Sequence, residues 1–352
     1  MSKVFIIAEA GVNHNGDLQR AVAMVDCAAA AGADAVKFQT FKAENLVTAQ
    51  GPKAAYQQQA TGTGSQLEML KALELSQGDH FVLAQRCREK KIEFLSTPFD
   101  LPSLRFLVDE GLINRIKIPS GELTNGPLLF AAAQTGKPLI VSTGMAHPEE
   151  IAMALRVIDA GLSGGHPSAL SFALESPTRF DHLAPSIILL HCTTAYPTPM
   201  NEVNLRAMVT LKNQFGTAVG YSDHTQGITI AIAATALGAQ VVEKHFTLDR
   251  HLEGPDHRAS IEPGELIAMV AGIRDVEAAL GDGNKRPRSS ELENAKVARK
   301  SLLAAIPIAK GTLFDANNLA IKRPGGGRSP MDYWSLLGTP AQRDYQPDEP
   351  ID

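Results

Sequence analysis

Short apolar, β-branched runs alternate along the chain with amphipathic, Ala-rich segments of helical spacing. The runs predict eight strands at Val4–Ala8, Ala35–Gln39, Glu93–Thr97, Arg115–Pro119, Leu139–Thr143, Ile187–His191, Ala218–Tyr221 and Gln240–His245. The segments predict helices that include Leu18–Ala30, Gly78–Lys90, Pro148–Asp159, Leu205–Gln214, Ile228–Leu237 and Pro263–Leu280. Strands that are apolar along their whole length are typical of a covered parallel sheet, and eight strand-helix units predict a (β/α)8 TIM barrel. A doubly wound open sheet is the alternative, although no Gly-rich dinucleotide-binding turn follows the first strand.

A change of composition ends the predicted barrel. The segment Gly281–Ser290 (GDGNKRPRSS) has no apolar period, which is typical of a linker. We therefore predict a barrel domain over residues 1–280, a linker over 281–298 and a small domain over 299–352. The last part contains strand-like pieces at Ser301–Ala305 and Leu319–Lys322. Because so small a unit is marginal alone, we expect it to pack against the barrel or a second subunit.

Composition narrows the class of protein. The 352 residues carry a net charge of −5 and are 44% hydrophobic, which is ordinary for a globular protein and gives no basic excess for nucleic acid. We find no secretory signal and no apolar stretch of membrane-spanning length. The three cysteines, Cys27, Cys87 and Cys192, are odd in number and far apart, which argues against a disulfide framework. A soluble, cytoplasmic protein is the expectation.

Polar and charged side chains collect where the predicted strands end, and barrel enzymes carry their functional groups there. One Ser or Thr alone is explained by capping of the next helix, but a set this large predicts a site. The set is Glu9, Lys37, Gln39, Thr97, Lys117, Ser120, Glu122, Ser142, Thr143, His191, Thr193, Thr194, Ser222, Asp223, His224, Glu243, Lys244 and His245.

Two lysines lie inside otherwise apolar runs, Lys37 in AVKFQ and Lys117 in RIKIPS. A buried ammonium group needs an anionic partner. Strand-end carboxylates such as Glu9 or Glu122 are one possibility. An anionic ligand is favoured for at least one lysine, because hydroxyls and helix N-termini cluster beside them. We therefore predict a phosphate or carboxylate site.

Two histidines follow the seventh and eighth predicted strands, which are neighbours in a barrel. His224 and His245 could converge on one divalent metal, with Asp223, Glu243 and Glu9 nearby. Ordinary hydrogen-bonded histidines are the alternative. A metal held by two histidines would keep positions open for water and substrate oxygens. In the following loop, HLEGPDHRAS, a solvated turn is the simplest interpretation of Asp256 and His257.

Ordered motifs along the chain resemble the sialic acid synthases. They are IIAEAGVNHNG, VKFQTF, FLSTPFD, KIPSGE, VSTGM, LLHCTTAYPTP, GYSDHT, EKHFTLD and GPDH. Residues 299–352 resemble the antifreeze-like (SAF) domain of that family, through ARKSLLAA and IAKGTLFDANNLAIKRPGGG. The resemblance implies a TIM barrel followed by a SAF domain of β-clip fold. It also implies condensation of phosphoenolpyruvate with an N-acetylated amino sugar to give a nine-carbon 2-keto-3-deoxy acid.

The resemblance further implies roles for single residues. The phosphoenolpyruvate pocket would comprise Lys37, Thr97, Lys117, Ser120, Ser142 and Ser222. The acceptor sugar would touch Gln39, Tyr196 and Asp256, together with Arg323. His224 and His245 would hold manganese or magnesium. Glu122, or else Glu9, would accept a proton from the attacking water. Arg323 would reach the barrel of a partner subunit, which implies a domain-swapped homodimer.

The acceptor is the open question at this level. We expect N-acetylmannosamine as the acceptor and N-acetylneuraminate as the product; the alternative is legionaminate or pseudaminate synthesis from a 6-deoxy-diacetamido hexose. Synthases that act on sugar phosphates would need a second cationic cluster, and a non-catalytic sugar-binding protein would not need these strand-end groups. Thr194 stands where several bacterial members have Asn. The loop Pro52–Ser65 does not align securely with the family's sugar-binding loop, so no role is carried over to it.

Overall fold

A closed ring of parallel strands forms the larger part of this computed structural model, which describes residues 3–165 and 179–352. The strands are β1 (Phe5–Gly11), β2 (Ala35–Thr40), β3 (Glu93–Pro98), β4 (Ile116–Ile118), β5 (Leu139–Ser142), β6 (Ile187–His191), β7 (Ala218–Asp223) and β8 (Val241–His245). Their order is β3-β2-β1-β8-β7-β6-β5-β4, and β3 and β4 at its ends approach within 8 Å between Cα atoms. Because the end strands β3 and β4 lie side by side and β1 pairs with both β2 and β8, the eight strands form the predicted barrel and not an open sheet.

Helices follow the strands. They are α1 (Leu18–Ala30), α2 (Ala43–Leu46), α3 (Ala55–Thr61), α4 (Gln66–Lys71), α5 (Gln77–Lys90), α6 (Leu101–Asp109), α7 (Gly126–Gln134), α8 (Pro148–Leu162), α9 (Arg206–Phe215), α10 (Thr229–Ala236) and α11 (Pro263–Leu280). N-cap side chains determine where several helices begin. Asp17 caps α1, Ser76 caps α5 and Asp100 caps α6, and each side chain accepts a hydrogen bond from a backbone N–H of the first turn. Helices α2 to α4 lie in an excursion, residues 43–73, which the sequence pattern did not predict.

The barrel interior changes from apolar to polar along the strands. A buried inner layer comprises Ile7, Ala35, Leu95, Ile140, Leu190 and Val241. Since strand side chains alternate between faces, the residues two positions further along point into the same interior. Those residues are Glu9, Lys37, Thr97, Ser142, Cys192 and Glu243, and all are buried. The strand alternation thus places a chemically active layer directly above an apolar one.

The chain divides into two compact units, Met1–Gly281 and Asp282–Asp352. The second contains α12 (Ser289–Ala298), β9 (Ser301–Ala304), β10 (Leu319–Lys322) and α13 (Tyr333–Leu336), and β9 pairs with β10 antiparallel. Its own core includes Leu302, Phe314 and Tyr345. Helix α12 occupies much of the predicted linker region 281–298. Within the described residues no helix has the length and apolar character to cross a membrane. The three cysteines are unpaired.

Candidate active site

The carboxyl ends of the barrel strands open into a cavity of about 380 Å³. All the residues to which the resemblance assigns a role, except Arg323, line it: Glu9, Lys37, Gln39, Thr97, Lys117, Ser120, Glu122, Ser142, Tyr196, Ser222, His224, His245 and Asp256. Five members of the larger strand-end set do not line it: Thr143, His191, Thr193, Asp223 and Lys244. Arg323 is an exposed residue of the second unit, so its predicted place at the acceptor stays a prediction.

Two buried lysines and two buried glutamates form the cavity floor. Lys37 Nζ lies 2.6 Å from Glu9 Oε2 and 3.7 Å from Glu243 Oε2. It also donates to Thr97 Oγ1 at 2.8 Å. Lys117 Nζ lies 3.3 Å from Glu243 Oε1. Glu243 is therefore the carboxylate that both lysines share, whereas the sequence pattern placed it only among the strand-end residues and near the two histidines.

The pKa values of the two glutamates are shifted in opposite directions. Burial raises the pKa of Glu9 to about 7, and Lys37 only partly offsets this. Burial acts in the same sense on Glu243, but Lys117 and Lys37 outweigh it and lower its pKa to about 2. Burial lowers the pKa of Lys117, whereas Glu243 and Glu9 raise that of Lys37 against its own burial. With one fully ionised carboxylate between two ammonium groups, the floor favours an added anion.

Hydroxyl groups surround this floor. Ser222 Oγ donates to Glu243 Oε1 at 3.0 Å. Ser120 Oγ accepts from the Gly144 backbone N–H at 3.0 Å and lies 3.2 Å from Cys192 Sγ. Ser142 Oγ is buried and has no hydrogen-bond partner among the described residues. A buried hydroxyl without a partner indicates a place for a ligand oxygen.

A glycine makes part of this arrangement possible. A Cβ atom added at Gly144 would lie 2.8 Å from Ser120 Oγ and 2.8 Å from Thr194 Cγ2. Any larger residue would displace the Ser120 side chain or the loop that carries Thr194. Glycine at this position therefore allows the β4 and β6 ends to approach each other.

The two histidine rings face each other with centroids 5.6 Å apart. His224 Nδ1 donates to the Thr193 carbonyl at 2.6 Å, which leaves the Nε2 lone pair for another group. His245 Nδ1 is buried without a hydrogen-bond partner among the described residues and lies 3.9 Å from Asp256 Oδ2. Burial lowers the pKa of both rings, so both are neutral near pH 7, the form that ligates metals.

The donor set fits a metal bound by two histidines, with its other positions open. In the part of the chain that the structure describes, no group of three or more His, Cys, Asp or Glu side chains is arranged to hold an ion. Water and substrate oxygens would have to supply the remaining ligands. This fits a hard divalent cation that keeps several oxygen ligands from outside the protein.

The residues predicted for the acceptor lie at the same mouth. The Tyr196 ring lies 4.2 Å from that of His224 between centroids, and Gln39 Nε2 donates to Glu9 Oε1 at 3.5 Å. Asp256 is buried, and burial raises its pKa to about 6. The interpretation of Asp256 and His257 as a solvated turn was wrong, because both pack inside the loop after β8. Glu122 Oε2 accepts from Asn125 Nδ2 at 2.6 Å, which holds the carboxylate in place.

The cavity also contains residues that were given no role. Cys192 could have been found, since it follows an apolar strand residue, Leu190, by two positions. The other residues could not have been found from the sequence, because apolar residues and glutamines on short helices are also typical of residues that only pack in the core or lie on the surface. They include Leu46, Val47, Gln57, Gln66, Met69, Leu70 and Leu73 from the excursion.

Comparison with known proteins decides the family. The NeuB family model matches residues 24–285, and the SAF domain model matches residues 299–352. The chain belongs to the NeuB family. Both matches confirm the predicted order of a barrel and a C-terminal SAF domain.

Three relatives of this NeuB-family chain are informative. It is 48% identical over 352 residues to the N,N'-diacetyllegionaminic acid synthase of Campylobacter jejuni, covering 100% of this chain and 99% of the relative. It is 45% identical to the Legionella pneumophila enzyme of the same name, covering 95% of this chain and 89% of the relative. The crystal structure of N-acetylneuraminic acid (sialic acid) synthetase from Leptospira borgpetersenii, in complex with citrate, is 36% identical with a TM-score of 0.69. That match covers 83% of this chain and 90% of the other.

Proposed function

We propose that this protein is a phosphoenolpyruvate-dependent synthase that makes N,N'-diacetyllegionaminate from a 6-deoxy-diacetamido hexose. The observation that carries the reaction class is the buried floor of Lys37, Lys117, Glu9 and Glu243 beside two neutral histidines. A doubly charged substrate with phosphate and carboxylate groups would complete that charge pattern.

The relatives favour this acceptor over the N-acetylmannosamine expected first. Two proteins named as legionaminic acid synthases are 48% and 45% identical over nearly the whole chain, whereas the sialic acid synthetase structure is 36% identical. N-Acetylneuraminate synthesis is therefore the second candidate.

The reaction would join the two substrates in one condensation. C3 of phosphoenolpyruvate attacks the aldehyde carbon of the open-chain sugar, water adds at C2, and inorganic phosphate leaves. Lys37 and Lys117 bind the phosphate and carboxylate oxygens, and the Ser120 and Ser142 hydroxyls donate further hydrogen bonds. Ser222 donates as well once its O–H turns from Glu243 to the substrate. Holding both substrates in one cavity removes much of the entropic barrier to their encounter.

The attacking water must lose a proton to a base that lines the cavity. Glu122, oriented by Asn125, accepts the proton of the attacking water in this proposal. Glu9 is the alternative, because its pKa of about 7 lets it take up and release a proton near neutrality.

His224 and His245 would hold a divalent metal, manganese or magnesium. When bound, such an ion supplies Lewis-acid polarisation of a carbonyl oxygen. The chain's own contribution is the neutral, oriented pair of rings, with the His224 tautomer fixed by the Thr193 carbonyl.

The resemblance to the family also supports a domain-swapped homodimer in which Arg323 of the partner subunit contacts the acceptor. Arg323 is exposed in the second unit and precedes a cis proline. We expect Arg323→Ala to raise the KM for the sugar and leave the KM for phosphoenolpyruvate unchanged. Arg299→Ala, in the same unit and also exposed, is the control. An unchanged sugar KM in Arg323→Ala would contradict the assignment.

Phosphate release tests the proposed function. The purified protein, with phosphoenolpyruvate and manganese, is given N-acetylmannosamine, N-acetylmannosamine 6-phosphate or the 6-deoxy-diacetamido hexose. We expect the highest kcat/KM with the diacetamido sugar. Higher kcat/KM with N-acetylmannosamine would restore the second candidate, and no release with any of the three would reject the enzyme class.

A further inference from the structure

One wall of the active-site cavity is built by the excursion, residues 43–73, to which the sequence pattern assigned no role. The floor residues come from strand ends, whereas this wall comes from the connection between β2 and α5. It combines apolar side chains with two glutamines, a different chemistry from the charged floor.

The excursion reaches the cavity on the side of Asp256. A second depression lies next to the cavity, and Met69, Leu73 and Pro255 line both. Pro255 directly precedes Asp256, a residue proposed to contact the acceptor. The wall is thus placed to contact the acceptor sugar, while the lysines and serines lie at the phosphoenolpyruvate side.

The apolar part of the wall is continuous. Val12, Phe41 and Leu73 are buried together, and Leu46, Met69, Leu70 and Phe99 pack against them. A hydroxymethyl group placed on this surface would lose water without gaining a hydrogen bond, whereas a methyl group would gain from burial. Among the described residues, Lys37 and Lys117 are the only lysine or arginine side chains that line the cavity, and both are paired with floor carboxylates. The wall therefore suits a deoxy sugar better than a hydroxylated or phosphorylated one.

The two glutamines present a matched donor and acceptor. Gln57 Oε1 accepts from the Ala54 backbone N–H at 3.0 Å and from Gln66 Nε2 at 3.4 Å. Within the described residues, Gln57 Nε2 and Gln66 Oε1 have no hydrogen-bond partner. One can donate and the other can accept, which matches the carbonyl and N–H of an acetamido group.

We infer that the excursion is the element that selects the acceptor. Gln57 and Gln66 bind the second acetamido group of a 6-deoxy-diacetamido hexose, and Leu46, Met69 and Leu70 pack against its methyl groups. This inference rests on the proposed function and assigns its specificity to named residues.

Steady-state kinetics of Gln57→Leu and Gln66→Leu test it. Leucine keeps most of the side-chain volume and removes the amide. We expect each change to lower kcat/KM for the diacetamido sugar by roughly 10- to 100-fold, the effect of leaving a desolvated amide unpaired. The loss should lie in the KM for the sugar, with the KM for phosphoenolpyruvate within about twofold of wild type. The preference over N-acetylmannosamine should fall by a similar factor.

Gln50→Leu is the matched control, since Gln50 belongs to the same excursion, is exposed and does not line the cavity. Its kinetics should match those of wild type. If the wild-type protein releases no phosphate with any acceptor, the proposed function fails. Suppose that wild type is active but the Gln57 and Gln66 variants keep the wild-type KM for the sugar, or that kcat/KM falls equally for both acceptor sugars. The excursion then does not bind the second acetamido group. Melting temperatures of all variants distinguish loss of binding from unfolding.

Discussion

At the scale of single residues, the main feature is that the floor carries more positive than negative charge before any ligand binds. Glu243 is shared by Lys117 and Lys37, while burial holds Glu9 partly protonated near neutrality. In the low dielectric of the barrel such an imbalance is costly, and an anionic substrate relieves it. Binding energy and charge are therefore concentrated at one place in a protein whose net charge is −5.

Removing one lysine should reverse this balance. In Lys117→Met, Glu243 keeps its charge and faces the incoming anion with one ammonium fewer. We expect the KM for phosphoenolpyruvate to rise by roughly 100-fold or more, measured by phosphate release. The control is Lys212→Met on the exposed surface of α9. A KM within about threefold of wild type would mean that Lys117 does not bind the substrate.

The histidine pair makes a second prediction at this scale. We expect His224→Ala to weaken manganese binding by about 100-fold or more, measured by calorimetry without substrates. His251→Ala changes an exposed histidine and should leave the affinity unchanged. Manganese affinity in His224→Ala equal to that of wild type would sink the metal assignment.

At the scale of elements, β7 and β8 are joined just before both histidines. Asp223 and Lys244 lie opposite each other in the ladder, with Lys244 Nζ 2.7 Å from Asp223 Oδ2 and both side chains fully buried. Lys244 also donates to the Thr225 carbonyl, and Asp223 accepts the Thr225 N–H and hydroxyl. This network fixes the strand ends from which His224 and His245 enter the cavity.

Breaking that pair should destabilise the barrel. Lys244→Met leaves a buried carboxylate without its counter-ion, so we expect a loss of about 3–5 kcal/mol in the free energy of unfolding, measured in urea. The double variant Asp223→Asn/Lys244→Met also removes the unpaired carboxylate charge, so it should recover part of the lost free energy of unfolding. A loss under about 1 kcal/mol in the single variant would show that the pair contributes little.

At the scale of the whole molecule, buried neutral histidines link folding to pH. Burial lowers the pKa of His14 and of His257 to about 4, from an ordinary 6.5. His14 Nδ1 accepts the Gly16 N–H, and His257 Nδ1 lies 2.7 Å from Thr247 Oγ1. Between pH 6.5 and 4 the unfolded chain binds protons that the folded barrel does not, so stability falls as the pH drops through this window.

The size of this effect can be isolated by one substitution. Each histidine contributes up to about 3 kcal/mol of stability above pH 6.5 that is lost towards pH 4. Glu9 acts in the opposite sense, because its raised pKa penalises the folded state as the pH rises from 4.5 to about 7. We therefore expect His14→Asn, whose side-chain oxygen can accept the Gly16 N–H, to lose less stability than wild type between pH 7 and 4.5. The free energy of unfolding is measured in urea at both pH values. If His14→Asn and wild type lose the same amount between pH 7 and 4.5, His14 does not contribute to this pH dependence.

Much of the fold follows from local sequence. The predicted bounds of α1 and α11 agree with the structure because Asp17 caps the first helix and Pro263 opens the other. Strand β7 extends two residues beyond its predicted end, to Asp223, because Ser222 and Asp223 pair with β8. Polar ends of this kind give no hydrophobic signal, so pairing alone shows that they are strand.

Periodicity and order along the chain are enough to predict the alternation of strands and helices, the apolar layer of the barrel and nearly all the strand-end residues of the site. They do not show that Glu243 lies between both lysines, that Asp256 is buried or that the excursion forms a wall of the cavity. Those facts depend on distances between segments far apart in the chain. Closure of the ring through β1 and β8 brings most of these segments together, and no local pattern records that closure.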